Sequence, residues 1–248
     1  MSSSDEATSL EEIVERLRQQ GGTPGAGDAL AGRVLTEVDF AGLSLAGVNL
    51  SGCDMSGCEL RGLNLSGTNL RGANLQQARL TGCDLSGANL VGATLEYANL
   101  ARCNLSGANA RRVELGSANL SGATCDEANF DGSKLMAAVL TDATFEKASL
   151  NGADLRWINA QGVRFTRATM RGAYLQHATL RSALLQRCDL RDALLLRAVL
   201  TGANLSKAIL TGAQLRGALM RGAVLTSTIV EAHQLRSALH APISSLGE

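Results

Sequence analysis

An apolar residue stands at every fifth position from Leu35 to Leu235, and this regularity constrains the fold more than any other feature of the chain. All of these positions are Leu, Phe or Met, with four exceptions: Ala110, Cys125, Ala160 and Val230. A second column, mostly Ala, lies two residues earlier, as at Ala73 and Ala88, and Gly commonly lies two residues after the large residue. Such strict internal repetition predicts a solenoid, in which stacked units bury a core that no single unit could bury alone.

A period of five matches neither the period of about 3.6 of a helix nor the period of about 2 of a strand, so neither element can run for long. Within one unit, the small and large apolar residues are two apart, which is the spacing of side chains on one face of an extended segment. The next two residues, such as Ser-Gly or Arg-Gly, favour turns, because Gly tolerates a positive φ. Each unit therefore predicts a three-residue side followed by a corner.

Units such as Ala88-Asn89-Leu90-Val91-Gly92 and Ala203-Asn204-Leu205-Ser206-Lys207 resemble the A(D/N)LXX repeat of the pentapeptide repeat family. The resemblance covers roughly residues 31–240. It implies an all-β fold, a right-handed quadrilateral β-helix with four repeats per coil and about ten coils spaced about 4.8 Å apart. We expect three parts: residues 1–30 as a disordered start, amphipathic helix and Gly-rich link, 31–240 as the β-helix, and 241–248 as a short tail.

The first residues predict a short amphipathic helix after a polar, disordered segment, 1–8. Ser9 and Glu12 have the spacing of a capping box, and the glycines from Gly21 to Gly27 end the helix and form a flexible link. Four apolar residues fall on one helix face: Leu10, Ile13, Val14 and Leu17. We expect this stripe to cover the open first coil, and the alternative is that the helix binds a partner.

The overall composition points to no particular class of ligand, because 23 basic residues balance 23 acidic ones. No apolar run approaches the roughly 20 residues needed to span a bilayer, and no signal peptide pattern opens the chain. The six Cys occupy inward positions and form no C-x-x-C pair, so we interpret them as small core hydrophobes. We expect a cytoplasmic protein without a metal site or cofactor.

Charge is distributed unevenly along the repeat: residues 151–235 contain 11 basic and 4 acidic residues, whereas 35–150 contain 8 basic and 12 acidic ones. With about twenty residues per coil, positions twenty apart stack about 4.8 Å apart, and like charges at that distance repel each other. We therefore predict a strip that binds an acidic partner or a nucleic acid backbone, against the alternative of a soluble Arg-rich surface. The strip comprises Lys147, Arg164, Arg167, Arg171, Arg187, Arg191 and Lys207. Another column, Trp157, His177 and Arg197, is interpreted as a cation–π stack or part of a contact surface, against the alternative of incidental packing of a single exposed Trp.

Towards the C-terminus, the outward position before the large residue becomes apolar. These positions hold Leu184, Leu194, Val199, Ile209, Leu219, Val224 and Ile229, and Leu239 stacks in one column with Val199 and Leu219. The predicted interface comprises Leu194, Val199, Ile209, Leu219, Val224, Ile229 and Leu239. Exposed apolar patches of this kind mark interfaces. No amphipathic helix is predicted after the last coil, so we expect a homodimer that covers the C-terminal coils.

Catalysis is not expected from this sequence. His177 faces outward, His233 falls in an inward column and His240 lies in the tail, and none has a recognisable nucleophile or metal partner. No phosphate-binding loop motif occurs, since the glycines are repeat corners. The sequence predicts a non-enzymatic protein with no catalytic residues.

The best-known members of the resembling family bind type II topoisomerases, particularly gyrase, and protect them from topoisomerase poisons. The resemblance implies the same function here, with DNA gyrase or a related enzyme as the partner of a rod that imitates duplex DNA. A DNA mimic should present rows of carboxylates, yet only short stacks occur, Asp39 with Glu59 and Asp126 with Glu146. The alternative is a scaffold or effector module that docks an acidic partner or nucleic acid through the Arg-rich strip. Direct duplex binding is less favoured, and would weaken steeply with salt.

Overall fold

The structure, a computed structural model, describes residues 10–20 and 30–241. The predicted polar start 1–8, the Ser9 cap, the link from Gly21 to Gly27 and the tail beyond residue 241 lie outside the described residues. Two helices flank the repeats, α1 (Leu10–Gln20) and α2 (Ala232–Arg236). Between them, two-residue turns alternate with three-residue extended sides.

Each extended side pairs in parallel with the side twenty residues later. The middle residues of the sides form the bridges, from Val34 with Asp54 to Leu219 with Leu239. Between Ser44 and Ile209 a bridge begins at every fifth residue, so four sides complete each coil and no insertion shifts the register. The chain is therefore a quadrilateral β-helix, as the five-residue period and the family resemblance together predicted.

The corners are type II turns, which explains the position of Gly in the repeat. At Gly152, for example, the following residue Ala153 donates its N–H to the carbonyl oxygen of Leu150 at 3.2 Å, and Gly152 has a φ of +63°. A type II turn requires a positive φ at its third residue, which Gly adopts without a steric cost. The Gly152 N–H also donates to the Arg171 carbonyl of the next coil at 2.8 Å, so each corner contributes to stacking.

The core is a continuous column of apolar side chains. Leu dominates its large positions, and Phe130, Phe145 and Phe165 pack with ring-centroid distances of 5.5 Å (Phe130–Phe145) and 5.2 Å (Phe145–Phe165). All six Cys are free and buried, as predicted. Burial raises the pKa of the Cys58 thiol to about 11, so this residue behaves as a neutral core side chain.

At the N-terminal end, α1 packs against the first coil. Ile13, Val14 and Leu17 are buried in the same cluster as Leu30 and the repeat core. The Arg18 guanidinium also donates a hydrogen bond from Nη2 to the Asp39 carbonyl oxygen at 3.1 Å. In this structure the apolar stripe of α1 thus covers the end of the core, while its opposite side is exposed and acidic.

The C-terminal end differs from the prediction, because a helix does follow the last coil. Leu235 of α2 is fully buried, and the Gln234 side chain donates from Nε2 to the carbonyl oxygens of Leu210 (2.8 Å) and Ala213 (2.7 Å). A further coil would offer a backbone N–H to the Ala213 oxygen, and the Gln234 amide takes its place. The inward position predicted for His233 was wrong: the helical turn exposes His233, and its Nδ1 lies 3.1 Å from a Glu231 carboxylate oxygen.

Candidate binding surfaces

At many corners a residue other than Gly adopts a positive φ, which is energetically costly. These residues are concentrated on two edges of the rod. One coil has corners at Gly152, Trp157, Gly162 and Arg167, and each corner recurs every twenty residues. The Trp157 corner has seven positive-φ residues other than Gly: Gln77, Tyr97, Ser117, Ala137, Trp157, His177 and Arg197. The Arg167 corner has six: Glu127, Lys147, Arg167, Arg187, Lys207 and Ser227. The Gly162 and Gly152 corners have three and two.

A non-Gly residue at positive φ costs about 1–2 kcal/mol. The Trp157 and Arg167 corners lie diagonally opposite each other in the four-sided coil. Side chains are therefore retained along two opposite edges despite a backbone cost, whereas Gly relieves that cost at most positions of the other two. Backbone strain of this kind is common at functional sites, so these two edges are the candidate contact surfaces.

The predicted strip divides into residues that have an ion-pair partner and residues that have none. The Lys147 ammonium lies 2.6 Å from a Glu127 carboxylate oxygen, and Arg164 lies 2.6 Å from Glu146. Within residues 10–20 and 30–241, the side chains of Arg167, Arg187 and Lys207 form no hydrogen bond or ion pair. These three are exposed and occupy successive coils of one corner, so they keep their charge available to a partner.

Arg171 and Arg191, which the sequence suggested lie just past the corner of Arg167 and Arg187, belong to a different corner, and this corrects that expectation. They follow the next side of the coil, at the Gly152 corner, and both reach Asp189 with nitrogen–oxygen distances of 2.6 Å. Asp189 is almost buried and is held by the two guanidinium groups, with Arg191 contributing two hydrogen bonds, from Nε (2.9 Å) and Nη2 (2.6 Å). The Arg191 and Arg171 hydrogen bonds lower the pKa of Asp189 to about 2.

We expect Asp189→Asn to lower the free energy of unfolding by about 1 kcal/mol at neutral pH, because the substitution removes the charge that both guanidinium groups bind. The folded-state pKa is depressed, so this stabilisation is complete above the unfolded value near 3.8 and is lost as pH falls towards about 2. Urea denaturation at several pH values should therefore show the two proteins converging between pH 4 and pH 2. Asp192→Asn, at an exposed carboxylate in the same coil, is the control and should change stability by less than about 0.5 kcal/mol. A gap between Asp189→Asn and wild type that persists unchanged at the lowest pH would contradict this account.

A surface groove of about 490 Å³ adjoins the free cations. The groove is lined by Arg164, Arg167 and Arg187, by the ion-paired Glu146 and Lys147, and by the partly buried Leu184. Leu184 was not part of the predicted strip, although its position twenty residues after Arg164 was readable from the repeat. The groove thus combines positive charge with one apolar contact.

The Trp157 corner has an aromatic pair. The rings of Trp157 and His177 stack in parallel, with centroids 4.0 Å apart and planes 3° apart. In the described part of the chain, Arg197 makes no cation–π contact with this pair. Trp157 remains 58% exposed, so of the two interpretations the geometry favours a contact surface over a closed cation–π stack.

The apolar residues predicted as a dimer interface lie around the C-terminal coils on all four sides of the rod. Val199, Leu219 and Leu239 form one bridged column, whereas Leu194, Val224 and the pair Ile209–Ile229 each lie on a different side. Val224, Ile229 and Leu239 are the most exposed, at 43%, 58% and 51%. A single flat partner surface can therefore cover only part of the set.

Among the described residues, no group of three or more His, Cys, Asp or Glu side chains is placed to hold a metal ion. Neither of the two helices described has the length and apolar character that a bilayer crossing requires.

The fold and its surface define a four-sided solenoid that presents side chains in straight columns. The family model for Pentapeptide repeats matches the chain in overlapping segments, residues 34–72, 49–87, 83–124, 98–135, 114–152, 148–187 and 183–222. These matches span well over half of the sequence, and the chain belongs to the pentapeptide repeat family. None of the curated proteins matches it significantly.

Several solved structures are similar to this chain. HetL, a pentapeptide repeat protein involved in heterocyst differentiation regulation in the cyanobacterium Nostoc sp. strain PCC 7120, is 33% identical over 80% of this chain and 85% of its own, with a TM-score of 0.34. Rfr23 from the cyanobacterium Cyanothece 51142 is 23% identical over 48% of this chain and 91% of its own (TM-score 0.36). A trypsin-treated QnrB1, a plasmid-mediated fluoroquinolone resistance protein, is 20% identical over 71% and 90% (TM-score 0.31). These TM-scores are low, so the family assignment rests on the repeat matches.

Proposed function

We propose that the protein is a non-enzymatic binding protein, and most specifically that it binds a type II topoisomerase such as DNA gyrase and protects it from topoisomerase poisons. The observation that carries the proposal is the unbroken register of bridges from Ser44 to Ile209, which gives an uninterrupted four-sided rod. The topoisomerase-binding members that the repeat resembles present a rod of this kind to the enzyme. The core is filled by side chains, so the outer columns must do the binding.

Several carboxylates of this rod pair with neighbouring cations, as in Glu59 with Arg79, Glu114 with Lys134 and Glu146 with Arg164, and no two of the remaining carboxylates within residues 30–241 stand on successive coils of one column. A row of free negative charge like that of duplex DNA is therefore absent from the described residues. In the proposed mode, the shape of the rod and selected columns engage the enzyme, rather than dense carboxylate mimicry.

The test is supercoiling and DNA cleavage by purified gyrase in the presence of a poison, titrated with this protein. We expect supercoiling to recover and poison-stabilised cleavage to fall at near-stoichiometric protein. A parallel titration without poison separates protection from inhibition. No recovery, together with no effect on the unpoisoned enzyme at excess protein, would reject gyrase as the partner.

A second candidate function is a scaffold or effector module that docks an acidic partner or nucleic acid through the strip. It is favoured by one specific observation, the column of Arg167, Arg187 and Lys207 without ion-pair partners in the described part of the chain.

We also propose a homodimer joined through the C-terminal coils. Because α2 already covers the core, the reason for dimerisation is the exposed outward apolar surface and not an open coil end. For the compartment we propose the cytoplasm, since six free buried thiols suit a reducing environment.

A further inference from the structure

We propose that the column Arg167–Arg187–Lys207 and the adjoining groove form a docking site for an acidic α-helix that lies along the edge of the rod. The proposal deepens the second candidate function and rests on it. It names one class of partner, a helix with one carboxylate per turn and an apolar side chain beside that row.

The column is maintained against two energetic costs. Its three cations stack on successive coils about 4.8 Å apart, where like charges repel. Each also occupies a corner position with positive φ, with values of 63°, 61° and 62° for Arg167, Arg187 and Lys207. Earlier coils have Gly in the same column, at Gly67, Gly87 and others, so the turn itself does not require these side chains. A bound partner with the opposite charge accounts for both costs.

The spacing of the three cations along the rod matches the spacing of successive turns of an α-helix. An α-helix advances about 5.4 Å per turn, so carboxylates at i, i+4 and i+7 present one negative charge for each coil of about 4.8 Å. The mismatch accumulates to only about 1.2 Å over three coils, which long Arg and Lys side chains absorb. Alternate carboxylates on an extended strand are about 6.8 Å apart, and their mismatch reaches about 4 Å over the same distance.

The column offers too little positive charge to bind duplex nucleic acid tightly. Three free cations would neutralise about three phosphates and give a salt slope of only about −3, so duplex nucleic acid would bind weakly. The other cations of the strip are already engaged, Lys147 with Glu127, Arg164 with Glu146 and both Arg171 and Arg191 with Asp189, so they add little free positive charge for a polyanion.

The groove also offers a partner one apolar contact. Leu184 lies beside Arg187, together with the Thr166 hydroxyl and the Gln186 amide. An apolar side chain next to the acidic row of a helix would reach Leu184 while the carboxylates face the cations. Helix-in-groove recognition uses this combination of anchors at helical spacing.

The test uses the full-length protein and two synthetic helical peptides of equal composition. One carries Glu at i, i+4, i+7 and i+11 with Leu beside this row, and the other distributes the same residues around the helix. Fluorescence anisotropy at low salt should show the aligned peptide binding about tenfold more tightly or better, with the affinity falling as salt rises. Replacing Arg167, Arg187 and Lys207 together by Glu should weaken binding by about 10- to 100-fold.

The matched control replaces Arg181, Arg216 and Arg221 together by Glu, which makes the same change in net charge at exposed positions of other corners. This control should bind the aligned peptide within about threefold of wild type. Equal binding of the two peptides, or equal loss in both triple variants, would overturn the proposal. Tighter binding of a DNA duplex than of the aligned peptide would also overturn it and reassign the strip to nucleic acid.

The gyrase assay, run with the same two variants, separates the two ideas. Peptide binding without gyrase protection would reject the topoisomerase partner and leave the helix site standing. Protection that survives in the Arg167, Arg187 and Lys207 variant, together with no preference for the aligned peptide, would reject the helix site alone.

Discussion

Phe145→Ala should lower the free energy of unfolding by about 3–5 kcal/mol, the largest loss expected from a single core substitution here. Phe145 is fully buried and packs between Phe130 and Phe165, with centroid distances of 5.5 Å and 5.2 Å. Removing the ring deletes contacts with both neighbours and leaves a cavity that bridged coils on either side cannot close. Thermal unfolding followed by circular dichroism should show Tm falling by roughly 10 °C.

Phe145→Leu is the matched control, because Leu is the usual occupant of this inward position in the other repeats. It should cost less than about 1.5 kcal/mol. If Phe145→Ala costs no more than Phe145→Leu, the coils must be able to contract around the missing ring, and the picture of a rigid, filled core would be wrong.

Replacing Leu219 and Leu239 together by Asp should convert the proposed dimer into a monomer. The two residues are bridged neighbours at the C-terminal end of one column, and Leu239 is 51% exposed. Two carboxylates there would have to be buried without partners at an apolar interface, which costs several kcal/mol. Light scattering should report twice the 25.8 kDa chain mass for wild type and the single chain mass for the variant.

Asn159→Asp with Thr179→Asp makes the same change in charge on the same side of the rod, at an earlier pair of bridged residues. That control should remain dimeric, and circular dichroism should show that both variants are folded. A monomeric wild type, or a dimer that survives the Leu219 and Leu239 changes, would place the interface elsewhere or remove it.

Most of the architecture was predictable because one rule applies at every repeat. The apolar fifth position and its companion two residues earlier predict the inward side chains, and burial from Phe40 to Leu225 follows that rule. The rule fails where the repeat ends. His233 continues the inward column by number, but the chain turns into α2, and Gln234 with Leu235 takes the buried places.

The surface was harder to predict, because charge pairing depends on neighbours that the column rule does not reveal. Stacking at a distance of twenty residues places Arg167 beside Arg187. The pairs of Arg164 with Glu146 and of Arg171 with Asp189 are eighteen residues apart, across a corner and one coil. Stacking alone therefore predicts free charge at Arg164, Arg171 and Arg191. In the structure, Glu146 pairs with Arg164, and Asp189 pairs with both Arg171 and Arg191. The strained corners were partly predictable, since from Gln77 to Ser227 a residue that replaces Gly two positions after the large apolar residue adopts the same positive φ.

Because each coil contains twenty residues, the number of residues that precede a side chain determines the direction in which it points around the rod. Inserting twenty residues would lengthen the rod by one coil and leave every downstream side chain pointing the same way. Inserting or deleting a single unit of five would keep all inward positions filled but would turn everything beyond it by a quarter of a revolution. The number of repeats between α1 and Arg167 therefore determines the direction in which Arg167 points around the rod axis, as well as its distance from α1. A repeat protein of this kind could re-aim its docking edge in steps of one side without altering a single core contact type.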